Sequence, residues 1–193
     1  MIKAIAFDFK GVVMPGPIAE WAEKNLTHDD DKYKLLIESS RKWDVGEIPL
    51  EEAYQIMSQI TGVASNKIWE TFFENKPLNE EVIEIIKNLK KHYKIGLFSN
   101  HIGELVRKIL YKHQITDLFD EILISSEHRK KKPDPKFFKI LLIVMGVKKD
   151  DIIFIDDSST NVQAAISLGI KAIFYKNPQQ LIIDLNELGI SLK

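Results

Sequence analysis

From Asn79 onward the chain alternates short apolar runs with amphipathic helical patterns, and no other feature restricts its fold as strongly. Tyr93 to Phe98, Ile122-Leu123-Ile124, Ile152 to Ile155 and Ala172-Ile173-Phe174-Tyr175 are brief, nearly continuous apolar runs, as in strands buried on both faces. Between them run helical patterns: Asn79 to Leu89, Leu105 to Lys112, Lys136 to Met145 before Gly146, and Asn161 to Leu168 before Gly169. A last helix starts at Pro178 and runs to about Leu188. Strands alternating with helices predict an α/β fold, a parallel sheet with helices on both faces. Ala4-Ile5-Ala6-Phe7 adds a strand at the N-terminus; it ends in Asp8, and Gly11 frees the following turn.

The segment between these parts follows a different pattern. Met14-Pro15-Gly16-Pro17 interrupts the backbone, and helical spacing then holds from Ile18 to Phe73. Ile18, Trp21, Ala22 and Leu26 share a face, as do Ala53, Ile56, Met57 and Ile60 in a helix opened by Pro49. Ser65 is expected to cap a further helix carrying Ile68, Trp69, Phe72 and Phe73. The prediction is an all-helical insert over 15–77, bounded by Pro15, Pro17 and Pro77, in a core made of 1–14 and 78–193. A chain of 193 residues suits such a core with one insert. Its formal net charge of −1 gives no electrostatic footprint for nucleic acid or an anionic membrane. The absence of cysteine excludes disulfides and thiolate metal sites. No apolar run reaches the roughly 18 residues of a membrane span. The chain enters a strand at once, without a signal sequence, so a cytoplasmic protein is expected.

A parallel sheet brings the carboxyl ends of its strands to one edge, where ligands bind. Four such positions carry polar groups: Asp8, Ser99, the pair Asp156-Asp157 and, in the loop after the third strand, Lys132. Each has a plainer reading. Asp8 could end a strand, Ser99 could be a strand-end hydroxyl, and Lys132 closes a solvated run from Arg129. Asp156 and Asp157 could cap a helix near Ser159. Taken together, converging carboxylates suit magnesium. A hydroxyl and a lysine beside them suit phosphate oxygens, and a carboxylate in line with that phosphate is a nucleophile. His28, His92, His101 and His113 show no metal-ligand spacing, and Trp21, Trp43 and Trp69 read as core or rim of the insert.

These segments resemble the four signature motifs of the haloacid dehalogenase (HAD) superfamily. F-D-F-K-G-V-V is similar to the first, L-F-S-N to the second, S-S-E-H-R-K-K-K-P-D-P to the third, and I-F-I-D-D-S-S-T-N-V-Q-A-A, with Asn161, to the fourth. The insert resembles the small helical cap of one subclass, and W-D-V-G-E-I resembles caps of phosphatases acting on sugar phosphates and related small esters. The resemblance implies a Rossmann-like core with an inserted all-helical cap that closes over the strand edge. It also implies Mg2+ as cofactor and a small phosphorylated metabolite as substrate. Asp8 would attack phosphorus and form an aspartyl-phosphate. Ser99 and Asn100, by side chain or backbone, would bind the phosphoryl group, and Lys132 would pair with both phosphate and Asp8. Asp8, Asp157, Asp156 (directly or through water) and the backbone carbonyl of Lys10 would ligate the metal.

The sequence departs from the pattern at one position. Family phosphatases usually carry a second Asp two residues after the nucleophile, as acid and base; here Lys10 stands in that catalytic place. Its side chain could point toward the cap or take over part of the cation's role. Three readings follow: a magnesium-dependent phosphatase, a catalytically impaired member that binds a phosphorylated ligand or a partner, and a dehalogenase. Dehalogenases also lack the second Asp, but the retained Asp156-Asp157 pair argues against that branch.

Overall fold

The protein is described here from a computed structural model covering residues 1–191. Strands β1 (Ala4–Phe7), β2 (Lys94–Ser99), β3 (Glu121–Ile124), β4 (Ile152–Asp156) and β5 (Lys171–Phe174) form one sheet in the order β3-β2-β1-β4-β5. Every pairing is parallel. β1 lies at the centre, with Phe7 level with Leu97 on one side and Ile155 on the other. This register brings Asp8, Ser99 and Asp156 out at one edge.

The strands alternate between two apolar layers, as a two-residue side-chain period requires. Ile5, Phe7, Ile95, Leu97, Ile153 and Ile155 join the layer covered by helices α4 (Glu80–Lys90), α5 (Gly103–Lys112) and α9 (Pro178–Glu187). Ala4, Ala6, Phe98 and Phe154 join the other, beneath α7 (Pro135–Met145) and α8 (Ser159–Ser167). The small residues of that second face have a packing reason. A side chain on Gly96 would stand 2.7 Å from Met145 Sδ. Phe98 there meets Phe137, Phe138 and Phe154 at ring separations of 4.6, 5.3 and 5.5 Å.

The insert is helical throughout, as expected: α1 (Pro17–Asn25), α2 (Asp31–Trp43) and α3 (Leu50–Thr61), then the 3₁₀ turn Ser65–Lys67 and the π-helical turn Trp69–Glu74. The expected Ser65 cap is not formed. Ser65 lies inside the 3₁₀ turn, and no side chain caps it. The chain then buries Ile68 and Phe73, five residues apart, a spacing that suits the wider π turn better than a 3.6-residue repeat.

The outgoing and returning connections of the insert meet at one residue. Asn79 N–H donates to the Val13 carbonyl at 2.9 Å, and its side-chain amide donates to Tyr175 Oη at 2.7 Å. The same side chain caps α4 through a long bond from Val82 N–H. The insert also rests on the short helix α6 (Ser125–His128) after β3: a side chain at Gly46 (φ 76°) would come within 2.5 Å of the Ser126 carbonyl oxygen. Just beyond it, Lys131 Nζ lies 3.6 Å from Asp44 Oδ2 of the insert. Among the described residues, no helix is long and apolar enough to cross a membrane.

Candidate active site

A lysine organises the site. Lys132 is buried, and its ammonium donates to Asp8 Oδ1 (2.8 Å), Asp156 Oδ2 (2.7 Å) and the Phe98 carbonyl (2.6 Å). The three donors of an ammonium are thereby all used. Burial alone would lower its pKa, but Asp8 and Asp156 outweigh burial and raise it, so Lys132 is a permanent cation. The plainer reading of Lys132 as one of a solvated run is set aside, because Lys132 alone in that run is buried. Asn100 fixes its backbone. The side-chain oxygen accepts from Lys132 N–H and the side-chain amide donates to the Lys132 carbonyl, both at 2.8 Å.

Both ends of the Asn100 amide thus engage Lys132 and position the lysine, while the second Nδ2–H enters neither of these two bonds. The Ser99 hydroxyl behaves differently. It is fully buried, and its Oγ has no hydrogen-bond partner. A buried hydroxyl without a partner costs roughly 1–3 kcal/mol, so a ligand oxygen supplying that bond is favoured.

The carboxylates divide by how far they are already committed. Asp156 is fully buried; its Oδ1 accepts from Ser158 N–H (2.7 Å) and its Oδ2 from Lys132, and Asn161 Nδ2 reaches both oxygens at 3.1 Å. Asp8 accepts from Phe9 N–H (2.7 Å) and Lys132 at Oδ1, and among the described residues nothing donates to Oδ2. Asp157 is exposed and lies directly over Gly11, where a side chain would overlap its carboxylate. Gly11 is therefore required twice, by its φ of 92° and by the carboxylate above it. The plainer reading of the pair as helix caps fails: the residue before α8 is Ser158, and its side chain does not cap.

Asp8, Asp156 and Asp157 offer oxygens that all lie within 4.8 Å of one another. Burial pushes Asp8 up to about 7; Lys132 opposes this, while Asp156 and Asp157 add to it. Burial and Asp156 likewise raise Asp157. Three carboxylates thus share one buried ammonium, and the excess negative charge and the all-oxygen donor set fit a hard divalent cation such as Mg2+. In this arrangement Asp8 Oδ2 and Asp157 are the uncommitted donors. Asp156, with both oxygens engaged, suits a ligand reached through water.

Lys10 does not join this cluster. It is exposed, its stem lies along Gly16, and its ammonium has no ion-pair partner among the described residues. Of the two courses open to it in the sequence, the side chain takes the first and runs toward the insert. There it borders a cavity of about 110 Å³ between sheet edge and insert, lined mainly by apolar groups such as Ile18, Leu36, Trp43, Met57 and Phe73, with Asp44, Asn100 and His101. Burial, then the charge of Lys10, lowers His101 to about 3, so its imidazole is neutral. Trp43 thus meets the cleft; Trp21 packs at the margin of the core instead. Sequence reasoning missed Asp44, whose only signal was its place in W-D-V-G-E-I.

Comparison with known proteins agrees with this geometry. The sequence profile described as haloacid dehalogenase-like hydrolase matches residues 31–175. Flavin mononucleotide hydrolase 1 of Arabidopsis thaliana is 43% identical over 63 residues, which are 33% of this chain and 26% of the relative. Human N-acylneuraminate-9-phosphatase is 25% identical over 142 residues, 68% of this chain and 56% of that protein. The chain thus spans only about a quarter to a half of these relatives. A HAD family enzyme of Bacteroides thetaiotaomicron, crystallised with magnesium and inorganic phosphate, superposes with a TM-score of 0.69 at 23% identity, over 91% of this chain and 95% of the other.

Proposed function

The chain belongs to the haloacid dehalogenase-like hydrolase family, and from that premise we propose that it is a magnesium-dependent phosphatase of a small phosphorylated metabolite. The observation that carries the reading is the Lys132 hub, which engages Asp8 through Oδ1, together with a buried Ser99 hydroxyl that has no partner among the described residues at the end of the adjacent strand. Asp8 Oδ2 attacks phosphorus, the bond from phosphorus to the ester oxygen breaks, and an aspartyl-phosphate forms. Water then attacks that phosphorus, releasing inorganic phosphate and restoring the Asp8 carboxylate. Ser99 Oγ donates to a phosphoryl oxygen, and the Lys132 charge offsets the charge gathering there. Asp8, Asp157, the Lys10 carbonyl and Asp156 would hold magnesium, which would supply further charge neutralisation. In this reading 1–14 and 78–193 form the core, and 15–77 is a cap that keeps water from the reaction.

Lys10 determines which esters suit the site. An alkylammonium is a poor acid near neutrality, and acid–base help is typically worth about 10² to 10⁴ in rate. The leaving alcohol therefore receives no proton from the position that usually gives it, and turnover favours esters with weakly basic leaving groups. The same residue supports a second reading, a member that binds phosphorylated ligands with little turnover. The Asp156-Asp157 pair beside Asp8 speaks against a dehalogenase, which needs no cation.

Phosphate release from aryl and sugar phosphates, with and without magnesium, separates these readings. Release that requires magnesium and disappears in Asp8→Asn supports the phosphatase. Release seen only after Lys10→Asp supports the binding reading. Turnover unchanged in Asp8→Asn would overturn the role of Asp8.

A further inference from the structure

We infer that Lys10 and the cavity beside it receive a second anionic group of the substrate, so that the preferred ester has a short apolar skeleton ending in an anion. This rests on the phosphatase reading for the position of the reacting phosphate, but the charge argument is independent of turnover.

Lys10 extends from the turn after β1 beside a largely apolar cavity, and among the described residues no carboxylate lies within ion-pairing distance of its ammonium. The cavity's own acid, Asp44, is already paired with Lys131 at 3.6 Å. Burial raises Asp44, whereas Lys131 and then Lys10 hold it down, so one carboxylate answers to two lysines. The remaining polar ring at the mouth, His101, is neutral. Lys10 also acts at longer range on Asp157, but among the described residues no carboxylate contacts its ammonium, which borders largely apolar walls.

Space and composition define the rest of the ligand. About 110 Å³ holds only a few heavy atoms. Ile18, Leu36, Met57 and Phe73 offer a polyol no hydrogen-bonding side-chain groups, and Ser40 and the Trp43 indole are few partners for its several hydroxyls. In the inferred pose a two- to four-carbon chain occupies this space, its phosphate at Ser99 and its far end at Lys10. A carboxylate and a second phosphate share the chemistry Lys10 would recognise.

The test compares three propyl esters on the magnesium-loaded full chain: one ending in methyl, one in carboxylate and one in a second phosphate. One partly exposed ion pair predicts a kcat/KM about two- to fivefold higher for a charged end than for the methyl end. In Lys10→Met that ratio falls to about one. The identity of the better anion distinguishes carboxylate from phosphate. Calorimetry with butylphosphonate and 4-phosphonobutyrate reads the same preference without turnover. A ratio near one in the unaltered protein, a ratio that survives Lys10→Met, or no binding of either phosphonate overturns the inference. If no ester is hydrolysed but the phosphonate preference appears and depends on Lys10, the phosphatase reading fails and this inference stands.

Discussion

Replacing Lys132 by methionine tests the electrostatic account most directly. The substitution keeps most of the length of the side chain and removes its charge and three hydrogen bonds, to Asp8, Asp156 and the Phe98 carbonyl. Breaking a buried charge pair by deleting one partner typically costs about 3–5 kcal/mol, out of a total stability of about 5–15 kcal/mol. Two buried carboxylates then face each other without a cation, and proton uptake is their relief. Asp8 is already pushed up to about 7 with Lys132 in place, and removing the cation raises it further. A carboxyl whose folded pKa lies above its unfolded value stabilises the fold while protonated. That contribution is complete below about 4 and is lost as pH rises toward the folded pKa. Lys132→Met should therefore be less stable than the unaltered protein by about 3–5 kcal/mol at pH 8 and by much less at pH 5. Urea denaturation in EDTA at both pH values measures this. Adding Asp156→Asn should restore part of the loss at pH 8. A cost below about 1 kcal/mol at pH 8, or equal costs at the two pH values, would refute the reasoning.

Two further outcomes follow from the same geometry. Gly11→Ala places a methyl group against the Asp157 carboxylate and forces a left-handed backbone on alanine; it should cost about 1 kcal/mol of stability and weaken magnesium binding about tenfold or more, both readable by calorimetry. Away from the site, Asp120 accepts from Lys90 Nζ and Ile95 N–H, both at 2.7 Å, and although burial alone would raise its pKa, these partners lower it. A lowered carboxyl stabilises above its unfolded pKa and loses that contribution as pH falls through the folded one. Asp120→Asn should thus be less stable by about 1 kcal/mol at pH 7, after allowance for solvent screening, and match the unaltered protein near pH 2 in urea melts.

The sheet was legible in the sequence because its strands are buried on both faces and so appear as unbroken apolar runs. Ala4, Ala6 and Gly96 look unremarkable in sequence; their size answers to Met145 and the phenylalanine cluster across the layer. Asp8, Ser99, Lys132 and the Asp156-Asp157 pair could be found because parallel strands carry their ends to a common edge. The duty of Asn100 could not, since its partner is the backbone 32 residues away. The turn at Trp69 was read as an ordinary helix because the spacing of Ile68 and Phe73 is ambiguous without their neighbours. The direction of Lys10 depends on Gly16 lying beneath its stem, a contact that pattern reading does not supply.

Lys131 and Lys132 are consecutive residues with opposite allegiances. The first holds Asp44 of the insert, and the second holds Asp8 and Asp156 of the sheet. A single peptide unit therefore joins the seating of the helices to the alignment of the reactive carboxylate. The contact that seats the insert and the contact that orients Asp8 thus share one joint, and its backbone is the one Asn100 clamps.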